Sequence, residues 1–323
     1  MRLCHRHIPF LLLAPLAGAL GTGQLRAEVA APAANDTLLP PGASERVMFA
    51  ARSKWNRVLV VDHGDQRSLF FGETDGDTQS TVSLRDPRAV PMEYIRHAAS
   101  ALALLPRRRS GLVVGLGGGT YPMLLRRSFP AMSIDVVELD PLVRKVARSY
   151  FGFVEDAKLR VHIADGADFM RRARQRWDLI FLDAYGAAGI PDALATDAFF
   201  ADVARGLASG GLAVANIADT NSTRERAMIA RFAKAFPACI LAHTPRSDNI
   251  IVVAGASLPK DITAALQALN GENILPFPVA PMAALYRSCA EELSARPPVR
   301  PPSRPGNGPP HADDAVPDAE RHR

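Results

Sequence analysis

A chain of 323 residues is long enough for one large α/β core with a small appendage, and 48% hydrophobic with 22% charged residues describes an ordinary water-soluble fold. The formal charge of +5 comes from scattered arginines, clustered only at Arg107, Arg108 and Arg109 and at Arg171, Arg172 and Arg174. Neither cluster is interleaved with aromatic residues, so solvated loops and helix ends account for both, and nucleic acid is not an expected partner.

Residues 1–27 carry a basic head, an apolar run from Ile8 to Leu20 and small residues after it, the layout of a secretory signal peptide. The run is too short for a comfortable membrane span, so the mature form is expected to have none and to be periplasmic or secreted. A frayed or mis-started N-terminus on a cytoplasmic protein is the competing reading. Removal of this segment takes Cys4 with it and leaves Cys239 and Cys289, which show no metal-ligand spacing and are expected in buried structural positions. They could form one disulfide, and spacing alone does not decide it. Residues 28–53 read as a Pro- and Ala-rich linker. A small β domain is expected over residues 54–91, built on a hairpin from Val58–Val61 and Ser68–Phe71 across the turn His63–Gln66.

The main domain is expected over residues 92–293, opening with a helix from Met92 to Leu105 that Pro106 closes. Short β-type runs follow at Leu112–Val114, Ile134–Val137, Arg160–Ile163, Leu179–Leu182 and Leu212–Ala215. Helical stretches at Pro141–Tyr150, Ala167–Arg174, Asp197–Leu207 and Thr223–Phe236 alternate with them. This alternation predicts a Rossmann-like, mostly parallel, doubly wound sheet. The gap between Ile240–Ala242 and Ile250–Val253 is too short for a helical crossover, so the sheet should end in an antiparallel hairpin. Helical segments at Ile262–Leu269 and Met282–Leu293 follow, and residues 294–323 read as a disordered Pro-rich tail.

Four features carry the chemistry. The first is Leu112 to Leu125, a buried strand followed at once by a glycine turn and an apolar helix; Gly115, Gly117, Gly118 and Gly119 let the backbone approach a ligand, although a plain tight turn needs the same glycines. The second is Glu138, about twenty positions on, at the end of the neighbouring strand, where a carboxylate accepts both hydroxyl hydrogens of a ribose. The third is Asp165 with Gly166 after the third strand, placed to receive an adenine amino group or simply to cap the next helix. The fourth is Asp183, at the carboxyl edge of the fourth strand, where it can orient and deprotonate a nucleophile or merely brace a loop. Asp178, ahead of that strand, reads as a turn residue.

In this order the features resemble the spermidine synthase (polyamine aminopropyltransferase) family, over about two hundred residues from the Val58 hairpin to the Val253 strand. The resemblance implies that Gly117–Gly119 form the cofactor turn, that Gln79, Glu138, Asp165 and Gly166 contact the nucleoside, that Asp183 is the catalytic acid, and that Tyr94 stands on the substrate side. Departures accompany it. Where the family has an aspartate that holds the aminopropyl ammonium this chain has Thr120, followed by Tyr121 and Pro122; Gly186, Ile95 and Arg96 replace further polar or acidic positions. The implied function is a transferase that moves an aminopropyl group from decarboxylated S-adenosylmethionine to a small-molecule amine, without a metal. Methyl transfer from S-adenosylmethionine, or a non-catalytic nucleoside-binding homologue, are the alternatives. A homodimer is consistent with the resemblance.

Overall fold

Residues 45–72, 78–184, 190–218 and 222–295 are described by a computed structural model of the protein. The signal-peptide segment, most of the linker, the loop carrying Gly186 and the Pro-rich tail beyond residue 295 lie outside the described residues.

Four antiparallel strands in sequential order open the described chain: β1 (Glu45–Arg52), β2 (Arg57–His63), β3 (Gln66–Phe71) and β4 (Thr78–Ser83). The expected hairpin is β2 against β3, with Val58 opposite Phe71 and Gly64 supplying the positive φ of its turn. β1 falls inside the stretch expected to be linker. Its edge position leaves it largely exposed, so its side chains lack the clean alternation of a half-buried strand.

The second sheet has eight strands in the order β12-β10-β11-β9-β8-β5-β6-β7. β5 (Ser110–Val114), β6 (Ser133–Glu138), β7 (Leu159–Ile163), β8 (Trp177–Leu182) and β9 (Leu207–Ile217) are mutually parallel. β10 (Ala238–His243) and β11 (Ile250–Gly255) form the expected antiparallel pair, and β11 runs antiparallel to β9. The chain moves outward from β5 through β6 to β7 and then returns to place β8 on the other side of β5. That reversal makes a topological switch point between β5 and β8, where open α/β sheets leave a crevice.

Strand alternation divides the interior into two layers. Leu179 and Phe181 of β8 face a core shared with α1 (Glu93–Ser100), α2 (Thr120–Ser128), α3 (Pro141–Tyr150) and α7 (Ile262–Glu272), represented by Ala98, Leu125, Val143 and Leu266. Ile180 faces the opposite core with α4 (Gly166–Arg172), α5 (Asp197–Gly206) and α6 (Ser222–Ala235), where Met170, Phe200 and Phe232 pack. The helix expected from Met92 to Leu105 ends as α1 at Ser100 and continues as one 3₁₀ turn, Ala101–Leu104.

The C-terminal segment differs from the single helix expected at Met282–Leu293. A 3₁₀ turn, Ala280–Leu285, leads into β12 (Tyr286–Ser288), which pairs with β10, and α8 (Cys289–Ser294) then begins with a capping box between Ser288 and Glu291. Cys239 on β10 and Cys289 on α8 form a disulfide, with Cα atoms 5.5 Å apart, that fastens this segment to the sheet edge. No helix among the described residues is long and apolar enough to cross a membrane.

Candidate active site

The crevice is built where β5, β6 and β8 end together. Gly115 N–H donates to Val137 O and Asp183 N–H donates to Val114 O, both at 2.8 Å, so the three strand ends are locked side by side. Gly115 has φ of 100°, and a Cβ there would stand 2.2 Å from the Asp183 carbonyl oxygen. Only glycine fits between the first strand end and the candidate catalytic residue. Gly119 has φ of 80° and a Cβ there would lie 2.5 Å from the Phe153 ring, so part of the room cleared by the glycine run is taken by the protein itself. Gly117 and Gly118 lie against Ser80 in the same way, and Gly118 N–H donates to Ser80 Oγ at 2.8 Å. That bond ties β4, with the half-buried Gln79 beside Ser80, to the turn.

Glu138 ends β6 with its carboxylate folded back under the turn. Oε2 accepts from Leu116 N–H at 3.0 Å and Oε1 from Asp140 N–H at 2.8 Å, and the Leu139 N–H adds to the pull on the carboxylate. Burial pushes this carboxyl up to about 7, against the opposing pull of the Asp140 and Leu116 hydrogen bonds. Asp140 in turn caps α3 through Leu142 N–H and receives Ser53 Oγ–H at 2.5 Å, a second link from the N-terminal sheet to the crevice wall.

Asp165 is exposed and its Oδ1 accepts from Asp168 N–H at 2.9 Å, so it does cap α4; Gly166 follows because a Cβ there would be 2.8 Å from Val114. Asp178 is buried within β8 rather than in a turn. Its Oδ2 accepts from Arg109 N–H and Ser110 N–H and so braces the start of β5.

Asp183 is half-buried and is held on both of its carboxylate oxygens. Tyr94 OH, from α1, donates to Oδ2 at 3.1 Å, and Asn216 Nδ2, from β9, donates to Oδ1 at 2.9 Å. Burial pushes Asp183 up to about 6, and the hydrogen bonds from Asn216 and then Tyr94 hold it from rising further. The structure therefore brings Tyr94 and Asp183 together across 89 residues of sequence. Asn216 gave no warning in the sequence, because one polar residue near a strand end resembles an ordinary strand exit.

Two further groups lie at the start of α2. Thr120 Oγ1 and Tyr121 OH are buried with no hydrogen-bond partner, and the first turn of the helix holds no acidic residue. Burial, followed by the nearby Tyr286 and Asp183, pushes the Tyr121 phenol up, and its ring lies 4.2 Å from that of Phe181. Arg96 does not face this region. It sits two residues from Tyr94, on the opposite side of α1, and donates to Val90 O at 2.8 Å. Ile95 is buried in the core at 2% exposure. Among the described residues no group of three or more His, Cys, Asp or Glu side chains is placed to hold a metal ion.

Residues 49–241 match the family model described as the spermine/spermidine synthase domain. The polyamine aminopropyltransferase of Vibrio vulnificus (strain CMCP6) is 32% identical over 192 residues, which cover 57% of this chain and 64% of the relative. The chain thus spans just under two thirds of that relative's length. The polyamine aminopropyltransferase of Neisseria meningitidis serogroup A is 30% identical over 222 residues, covering 67% of this chain and 82% of the relative. Among solved structures, human methyltransferase-like protein 13 in complex with SAH aligns with a TM-score of 0.53 and 28% identity, over 58% of this chain and 94% of that one.

Proposed function

The chain belongs to the spermine/spermidine synthase family, and from that premise we propose that it is an aminopropyltransferase-type enzyme that binds an S-adenosylmethionine-type sulfonium and joins its alkyl group to an amine. The observation that carries this reading is the position of Asp183. A half-buried carboxylate, held on both oxygens, stands at the switch point beside a glycine turn, with one strand, β5, between it and the strand of Glu138.

The donor and acceptor chemistry fits an adenosyl group. Glu138 offers its carboxylate at the end of β6 to the ribose hydroxyls, Gln79 and the backbone of Gly115–Gly119 flank the nucleoside, and Asp165 with Gly166 stand at the adenine edge. A bound sulfonium supplies an electrophilic carbon; the amine nitrogen bonds to it as the carbon–sulfur bond breaks, and sulfur leaves as a neutral thioether. Asp183 accepts a hydrogen bond from the amine, aims its lone pair, and takes the proton that nitrogen must lose. Tyr94 holds Asp183 in place while that happens.

A second reading has a specific observation in its favour. The position at which the family carries the ammonium-binding aspartate is Thr120, in a helix turn without any acid, which removes the group that selects the decarboxylated cofactor. Methyl transfer from intact S-adenosylmethionine would then share the same crevice. Mass spectrometry of products formed from either cofactor with an amine panel separates the two. Methylthioadenosine with an aminopropylated amine supports the proposal, adenosylhomocysteine with a methylated product supports the second reading, and neither product rejects both. The Cys239–Cys289 disulfide supports an oxidising compartment, in line with an exported protein. Material from the native host should then begin between Leu20 and Asn35, whereas an intact Met1 would reject export.

A further inference from the structure

A row of side chains crosses three adjacent strand ends and terminates on Asp183. Asn249, just before β11, donates Nδ2 to Asn216 Oδ1 at 2.8 Å, and Asn216 on β9 donates Nδ2 to Asp183 Oδ1 at 2.9 Å. Asn216 is only 5% exposed, in a strand that otherwise reads Leu-Ala-Val-Ala before it and Ile after it. A buried amide is costly unless its hydrogen bonds are made, so an apolar residue would be the simpler choice here.

The row has one permitted direction while Asp183 is charged. An ionised carboxylate only accepts, so Asn216 must present its NH₂ to it. Its carbonyl oxygen then faces Asn249, which must donate. Asn249 is held from behind, because its backbone carbonyl accepts from Thr244 N–H at 3.0 Å. The same loop reaches the helix that carries Tyr94, through Arg246 N–H to Glu93 Oε2 at 2.8 Å. The titratable groups facing Asp183 from the packed helices are phenols, Tyr94 of α1 and Tyr121 of α2.

We infer that Asn216 and Asn249 are positioning residues for Asp183, and that they fix its carboxylate as an ionised, correctly rotated acceptor from the β10–β11 loop side. The inference rests on the proposed role of Asp183 as the proton acceptor.

The test is a carbon-13 NMR titration of the Asp183 carboxyl in the full chain without substrate. Asn216→Asp removes the donor and adds a like charge, and should raise the Asp183 midpoint by about one pH unit or more. Asn249→Ala frees the Asn216 amide to turn, and should raise it by a smaller amount, about half a unit. In the catalysed reaction, the acid limb of the kcat profile should move with those midpoints while nucleoside affinity stays within about twofold. Midpoints within about 0.2 units of the unmodified protein in both variants would overturn the inference. If Asn216→Asp does not fold, the Asn249→Ala titration decides alone. Because the titration needs no turnover, a protein without transferase activity would reject the proposed function while leaving this result readable.

Discussion

Glu138 and Asp183 are both carboxyls whose burial outweighs their hydrogen bonds, and that places their ionisation where it can be observed. With Glu138 lifted to about 7, a nucleoside that donates two ribose hydroxyls should favour the ionised form and release protons on binding near neutral pH. Calorimetry in buffers of different ionisation enthalpy should detect a fraction of a proton released at pH 7 and almost none at pH 9. Asp183→Asn keeps the shape but cannot take a proton, so turnover should fall at least about a hundredfold with nucleoside affinity unchanged. An equally active Asn variant would move the base elsewhere. The strand-end positions of Glu138, Asp165 and Asp183 were legible in the sequence because each follows or closes a strand in a repeating pattern. Asn216, Asn249 and Tyr121 were not, since their meaning depends on strand order and on which face of a helix turns inward. The charge of Arg96 was legible but its direction was not; it anchors the chain ahead of α1 and offers no repulsion to a diamine.

At the scale of elements, the alternation of apolar runs with helical stretches was sufficient to foresee the parallel strands and the antiparallel end of the sheet. β1 was missed because an exposed edge strand has no buried face to impose a period. β12 was missed because three residues cannot announce themselves within a helical pattern. The Cys239–Cys289 bridge closes a loop with a sequence separation of 50, and the loop-entropy relation assigns such a closure about 4 kcal/mol at most. Cys289→Ser should therefore lower unfolding stability by about 2 to 4 kcal/mol in denaturant titration. An unchanged midpoint would show that β12 and α8 hold without it. Gly115→Ala should be worse for function than for folding elsewhere in the turn, because its Cβ would collide with the Asp183 backbone itself.

Across the whole molecule, the N-terminal sheet and the parallel sheet meet at the crevice through Ser80 with Gly118 and Ser53 with Asp140. The proposed ribose and base sites are thereby part of the same packed unit. The raised carboxyls also set a pH trend. Glu138 rises from 4.5 to about 7 and Asp183 from 3.8 to about 6, so the folded state binds these protons more tightly than the unfolded chain. Their stabilising contribution is complete below the unfolded values and is lost as pH rises through about 6 and then about 7. Glu138→Gln combined with Asp183→Asn should flatten that part of the stability curve, measured as denaturant midpoints across the range.

The most direct measurement is calorimetric titration of the unmodified chain, Glu138→Ala and Asp183→Asn with methylthioadenosine. Saturable binding by the unmodified chain is expected, with the same affinity in Asp183→Asn and a loss of about 1.5 to 3 kcal/mol in Glu138→Ala, where two charge-assisted hydrogen bonds to ribose disappear. No binding by the unmodified chain, or equal affinity in Glu138→Ala, would contradict an adenosyl site at the ends of β5 and β6.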